Sequence, residues 1–299
     1  MDRRRSRMMR SRRGKRIELT RRDVEVFQAL ARYRYLSSSY LHAFAGGASE
    51  KRFVERLGDL FHEGFVGRPK VQWEEPDCRY RPTVYESEGK VGQALEGAAG
   101  NPGRCTYLAS GAHRQFQHAL MICETLASID LAARVTEGLR FIPWSELLSR
   151  APETTRLSPT PFRLPNPAGG CVVPDGLFGL EYEVGGEKSY RFFALEVDRG
   201  TMPIVRTDAR QTSCLGKLAA YRAVIAERVY KSHLGVPNLF VLTLTVSEDR
   251  CRRIAAKLGG SDPLFLFKPA SPLELRFPMP ALLLNPWERA SLPPLSING

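Results

Sequence analysis

The sequence predicts an α/β chain, α+β overall, built in two parts. Three short helices closed by a hairpin come first, and a mixed sheet flanked by helices follows. Three observations lead there. Apolar residues recur at helical spacing in three successive segments up to Gly64. From residue 171 onward, strand-like apolar runs alternate with helical ones. Between the two parts, Gly97 to Gly103 reads GAAGNPG, a break in either pattern. A chain of 299 residues suffices for about two domains. The expected organisation is a basic arm (1–16), a helical unit (17–98), a linker (99–111), a sheet domain (112–270) and a Pro-rich tail lying on the surface (271–299).

In the helical unit, Thr20 is placed to cap a helix over 20–33, with Asp23 three residues on completing a capping pattern. Val24, Phe27, Leu30 and Ala31 form its apolar stripe. Tyr35 and Leu36 break the period, Ser37 to Ser39 offer a new cap, and Gly46 and Gly47 end a short second helix. The third starts near Ser49, buries Phe53, Leu57, Leu60 and Phe61, and stops at Gly64. A short strand from Phe65, a basic tip and a returning strand at Thr83 to Tyr85 make the hairpin.

Charge is distributed unevenly. The chain carries 44 Lys and Arg against 32 Asp and Glu, a net of +12, of which +8 lies within residues 1–16. Residues 17–80 and 81–150 are each neutral, and 151–299 carry +4. The first sixteen residues have only methionines (Met1, Met8 and Met9) as large apolar groups and read as an unfolded basic arm, with Arg3, Arg4, Arg5, Arg12 and Arg13 among its cations. Such an arm gains affinity for polyanions through counterion release. It lacks the apolar stretch of a secretory signal, and no apolar run is long enough to cross a bilayer, so a cytoplasmic location is expected. The six cysteines include no CxxC, which is neither a zinc pattern nor a dense disulfide framework.

Three helices followed by a hairpin is the order of a winged helix-turn-helix, and Leu57 to Lys70 (LxxLFHEGFVGRPK) resembles the end of a recognition helix and the start of a wing. Thr83 to Leu95 looks like the closing strand and trailing helix of that fold. The resemblance implies that the third helix enters the major groove, with Lys51, Arg52 and Arg56 facing DNA and Arg68 and Lys70 reaching the backbone or minor groove. A winged helix used for protein contact is the alternative, since the unit itself is neutral.

In the second part, His113 to Thr136 is helical, Gly138 to Pro143 is a strand, and residues 150–169 form an irregular excursion rich in Pro, Ser and Thr. Cys171 to Leu180 and Tyr190 to Gly200 read as two strands joined by a polar hairpin. A helix over 215–232, a buried strand at Asn238 to Val246, a helix capped by Ser247 and a last strand at Leu264 to Phe267 complete the order.

Glu196 and Asp198 share one face of their strand because side chains alternate. Asp175 lies 21 residues before Glu196 across the hairpin, so pairing of the strands brings the carboxylates together. Gathered carboxylates repel unless a cation neutralises them, and they suit Mg²⁺ or Mn²⁺. An ion so held assists phosphodiester hydrolysis. The alternatives are a structural or DNA-holding acid pair, and an Asp198 that merely closes a strand-end turn.

Pro174-Asp175 with Glu196-Val197-Asp198 resembles the PD-(D/E)xK nuclease core. More narrowly, PDGLFGL, FFALEVDRGT and KLAAY resemble the replication-relaxation family of plasmids and mobile elements, over roughly residues 19–250. That resemblance implies a winged helix joined to a nuclease-like domain, and it lets the helix bearing His118 and Glu124 add a group to the site. The motif lysine is replaced by Asp198. Lys217 is the best substitute, with Tyr221 four residues on along the same helix face. The expected function is a DNA-binding protein with a metal-dependent nuclease-like site in replication, relaxation or transfer of a mobile element. As an enzyme it would be an Mg²⁺-dependent endodeoxyribonuclease or nickase using Asp175, Glu196, Asp198, Lys217 and Tyr221, the first three as metal ligands. DNA, plasmid replication or relaxase proteins and a second copy are the expected partners, with no membrane and no organic cofactor. The alternative is a non-catalytic DNA-binding regulator or protein adaptor on a degenerate nuclease fold.

Overall fold

A computed structural model describes residues 6–11, 14–88, 113–206, 213–260 and 262–299. Its contacts divide the chain into a first unit, Met1–Ala127 with Arg276–Pro278, and a second, Ser128–Leu275 with Met279–Gly299. The division falls inside a helix, and the expected linker 99–111 lies outside the described residues, as does the expected trailing helix up to Leu95.

The first unit begins at a reciprocal cap. The Thr20 side chain accepts from the Asp23 N–H, and the Asp23 carboxylate accepts from the Thr20 N–H at 2.8 Å, so two orphan donors of α1 (Arg21–Tyr33) are satisfied together. Arg34, with φ 66°, then turns the chain into β1 (Tyr35–Ser37), a strand absent from the sequence reading. It was hidden because three residues are too few to show a period. The second and third helices, α2 (Ser38–Ala45) and α3 (Glu50–Glu63), fall where their caps and glycines place them. Ser49 caps α3, and Gly64 closes it in the left-handed conformation with φ 86°. The hairpin consists of β2 (Val66–Gly67) and β3 (Val84–Ser87), and β1 joins it in a sheet of order β1-β3-β2, all antiparallel. Helix α4 (His113–Arg134) gives its first part to this unit, where Phe116 packs edge-on against Tyr35.

The described part of the basic arm is docked, contrary to the expectation of an unfolded segment. Arg10 donates from Nε to Phe61 O at 2.7 Å and from Nη2 to Val66 O at 3.0 Å. Arg7 donates to Arg79 O, Arg81 O and the Thr83 hydroxyl. The reason is local. Phe61 O is one of the last carbonyls of α3, and a guanidinium fork both satisfies such carbonyls and suits the negative helix end.

The second unit is a seven-stranded mixed sheet of order β12-β11-β10-β9-β8-β7-β4. Strand β4 (Leu139–Pro143) leads to the short helices α5 (Trp144–Ser149) and α6 (Glu153–Arg156). A two-stranded ribbon, β5 (Leu164–Pro165) with β6 (Cys171–Val172), precedes β7 (Gly176–Val184) and β8 (Glu187–Asp198). The sheet continues through β9 (Phe240–Thr245) and β10 (Phe265–Pro269), with β8, β9 and β10 mutually parallel. Helices α7 (Cys214–Ala226), α8 (Val229–Leu234) and α9 (Glu248–Leu258) make the crossovers. A single helix over 215–232 was expected. Arg228 adopts φ 51° and splits it in two. Phe141, Phe178, Phe193 and Phe240 stack across four strands with centroid spacings of 5.3, 4.9 and 5.6 Å, which fixes the register of the sheet centre.

The Pro-rich segment is not a surface tail. It forms α10 (Ala281–Leu284), β11 (Trp287–Arg289) and β12 (Leu292–Leu295), which extend the sheet past β10. Leu282, Leu283, Trp287 and Ile297 are fully buried. Their spacing matches neither helix nor strand period, because each element is only three or four residues long. Lys268 donates to Ala281 O and Asn285 O at 2.7 and 2.6 Å beneath the Trp287 ring, tying the segment down. Trp287→Ala should therefore destabilise the protein by about 3–5 kcal/mol, as an emptied aromatic core site does. Urea unfolding checks this, and an unchanged midpoint would restore the surface-tail reading.

Candidate functional site

Strands β7 and β8 pair so that Gly176 lies opposite Leu195. The same register sets Asp175 opposite Glu196, one residue before β7 begins. Pro174 precedes it and has no N–H to give the ladder, and the Asp175 carboxylate accepts from Val197 N at 2.8 Å. Helix α7 starts at Ser213, whose hydroxyl accepts from Gly216 N at 3.1 Å. Lys217 and Tyr221 follow four residues apart, one helical turn, on the side turned to the sheet.

Three of the expected residues converge on Glu196. The Lys217 ammonium pairs with Glu196 Oε2 and lies 3.5 Å from Asp175 Oδ1. The Tyr221 hydroxyl donates to Glu196 Oε1 at 2.5 Å. Glu196 is 7% exposed and Tyr221 fully buried, whereas the Asp175 and Lys217 side chains keep 18% and 22%. Burial, reinforced by the Asp175 charge, raises the Glu196 pKa to about 8 against the pull of Lys217 and Tyr221. Burial works against the Lys217 ammonium, but the charges of Glu196 and Asp175 outweigh it and raise its pKa. The Tyr221 hydroxyl is pushed well above its ordinary value, by burial first and then by Glu196, so it serves as a donor.

Thr243 was missed by the sequence reading. It is the register partner of Glu196 on β9, is 1% exposed, and its hydroxyl has no hydrogen-bond partner. Paired residues of parallel strands point to one face, so this oxygen lies beside Glu196. Two threonines two apart inside the otherwise apolar run of β9 were the available signal.

Asp198 does not join the cluster. Arg250 on α9 grips it through both Nε and Nη2, and Asp198 Oδ1 also accepts from Gly200 N at 3.0 Å. It closes the strand-end turn, as one of the sequence readings allowed. Among the described residues no group of three His, Cys, Asp or Glu side chains is arranged for a metal ion. Glu124 is also placed elsewhere. It lies in the part of α4 belonging to the first unit and hydrogen-bonds Ser37, and burial raises its pKa to about 8 against Ser37, Arg81 and Arg276. His118 is half-buried on the same stretch.

Of the cations assigned to DNA, Arg3, Arg4, Arg5, Arg12 and Arg13 lie outside the described residues. Lys51 and Arg52 are exposed at the start of α3, and Lys70 is exposed beyond β2. Arg56 is committed to a clamp on the buried Asp23, donating to Oδ1 at 3.0 Å and Oδ2 at 2.7 Å. Arg68 donates to Arg7 O and the Tyr85 hydroxyl and lies over the Phe61 ring.

A family model described as replication-relaxation matches residues 27–239. The chain belongs to the replication-relaxation family. The match spans both units and includes Asp175, Glu196, Lys217 and Tyr221, but ends before Thr243 and Arg250. Comparisons with curated proteins and with solved structures gave no match. For this replication-relaxation protein, membership suggests a role in plasmid or mobile-element replication. Among its described residues no helix is long and apolar enough to cross a membrane.

Glu196 and Glu124 make stability depend on pH. Their folded pKa values of about 8 exceed the ordinary 4.5, so between these values the folded protein holds protons that the unfolded chain has released. The stability these two carboxyls contribute should fall as pH rises from 4.5 to about 8 and be lost above. Urea midpoints measured across that range should decline, and Glu196→Gln and Glu124→Gln should each flatten the slope. An unaltered slope in both variants would contradict the assignment.

Proposed function

We propose that this protein acts on DNA in the replication of a mobile element, with the first unit binding the duplex as a winged helix and the second hydrolysing a phosphodiester. The observation that carries the catalytic half is the single ammonium of Lys217 set against both Asp175 and Glu196. That arrangement gives the site the lysine that its strand motif lacks.

The residues fit a hard divalent cation such as Mg²⁺ or Mn²⁺. Asp175 and Glu196 offer oxygen donors, and the unpartnered Thr243 hydroxyl adds a buried polar atom beside Glu196. When bound, such an ion lowers the pKa of a water and stabilises charge on phosphoryl oxygens. The chain's own groups set the stage. Val197 N fixes the Asp175 carboxylate, and Tyr221 fixes one oxygen of Glu196. Lys217 holds a positive charge where an attacking water and an anionic phosphate would meet.

A second reading has its own support. Both oxygens of Glu196 are already engaged by Lys217 and Tyr221, and Asp198 is held by Arg250. A cluster so complete suits a regulator that holds DNA without cutting it.

Supercoiled plasmid with Mn²⁺ or Mg²⁺ separates the two. The catalytic reading expects nicking or cutting, reduced at least about 100-fold by Glu196→Gln and by Lys217→Met, as loss of a charge-stabilising group does. Circular dichroism should confirm that both variants fold. No cutting by the wild type, or equal cutting by the variants, selects the regulator.

DNA binding is tested independently. Replacing the exposed Lys51 and Arg52 by Ala should weaken duplex binding and lower the slope of log affinity against log salt by about 2, one per lost phosphate contact. Fluorescence anisotropy over a salt series reads this, and an unchanged slope would remove α3 from the interface.

A further inference from the structure

The site contains a carboxylate that the proposed chemistry does not use. Asp198 follows Glu196 by two residues on β8, so both project from one sheet face, about 7 Å apart along the strand. Their register partners on β9, Thr243 and Thr245, line the same face. Helix α7 brings Lys217 to Glu196, and α9, packed against α7, brings Arg250 to Asp198. Cys214, the first residue of α7, is within the field of Asp198, Arg250, Glu196 and Lys217 together. The two ion pairs are therefore neighbours over one patch of sheet.

The Arg250 pair is tightly built. Its guanidinium takes both oxygens of Asp198, and Nη2 also donates to Met202 O at 2.5 Å. Each side chain is about 10% exposed. A fork engaged on both carboxylate oxygens leaves the anion fixed in direction and neutralised. A carboxylate this buried requires a positive partner, and with Arg250 absent a divalent cation held at Asp175 and Glu196 would serve as one.

We propose that Arg250 is a positioning residue that withholds Asp198 from the Asp175–Glu196 site, leaving Asp198 as a latent third oxygen ligand for a divalent cation. The inference rests on the reading of Asp175 and Glu196 as a cation site. It accounts for an acid standing in the strand position where the nuclease motif has lysine. The acid is masked by a cation from α9, while the working lysine comes from α7.

The test is a Mn²⁺ titration read by thermal unfolding, on the full chain without DNA. Arg250→Met should lower the melting temperature in the absence of metal, and Mn²⁺ should restore it at a concentration about 10-fold below that which half-stabilises the wild type, because ligand charge count sets affinity. Arg250→Lys, which keeps a charge but loses the fork, should shift in the same direction by less. Arg250→Met combined with Asp198→Asn should lose the gain, since no carboxylate is left unmasked. If Arg250→Met does not fold without metal, recovery of its transition with Mn²⁺ supports the proposal. If it does not fold at all, Arg250→Lys decides. Midpoints of the single variants equal to that of a metal-binding wild type would overturn this inference alone. No response to Mn²⁺ in wild type or variants would overturn it together with the cation-site reading.

Discussion

A carboxylate in the middle of a covered sheet face is the constraint around which the second unit is organised. Glu196 cannot remain there charged and alone, because burial penalises its anion and Asp175 opposite adds to the penalty. Burial keeps its carboxyl protonated to about pH 8, and α7 holds it through Lys217 and Tyr221, one helical turn apart. Asp198 and Gly200 close the turn at the end of the same strand. The turn is fixed in its turn by Arg250 from α9. Two helices, two strands and the strand-end turn thus meet at one row of ionisable side chains.

The same logic operates at smaller scale in the first unit. Asp23 is 2% exposed, and burial works against its charge, yet hydrogen bonds from Arg56 and Thr20 hold its pKa below the ordinary value. Arg56 lies on α3 and Asp23 at the start of α1, so one ion pair joins a helix cap to a neighbouring helix. Arg10 adds a second donor, beside Gly64 N, to Phe61 O at the far end of α3. Both arginines belong to classes that a charge count assigns to nucleic acid, and both are used to hold the fold. Lys51 and Arg52 stay exposed on the same helix.

Much of the architecture was legible in the sequence where elements are long or sharply capped. Thr20 with Asp23, Ser49 with Gly64, and the apolar run of β9 each announce an element through local chemistry. What escaped was short. β1 has three residues, and the C-terminal α10, β11 and β12 have four, three and four, so no period could develop. Prolines in that last segment read as a loop because their effect is local, while the burial of Leu282, Leu283 and Trp287 is decided by contacts with distant strands. At the site, Thr243 gave only a weak signal, and Arg250 gave none.

The sequence by itself determined which residues could meet. Strand alternation put Glu196 and Asp198 on one face, helical spacing put Lys217 and Tyr221 on another, and a hairpin of fixed length brought Asp175 opposite Glu196. Only the tertiary structure decided how those charges were shared. Lys217 went to Asp175 and Glu196, whereas Asp198 went to Arg250, 52 residues away in the chain. Pairing of buried ions depends on which helix packs above which strand, and that is set by the whole core rather than by any local pattern.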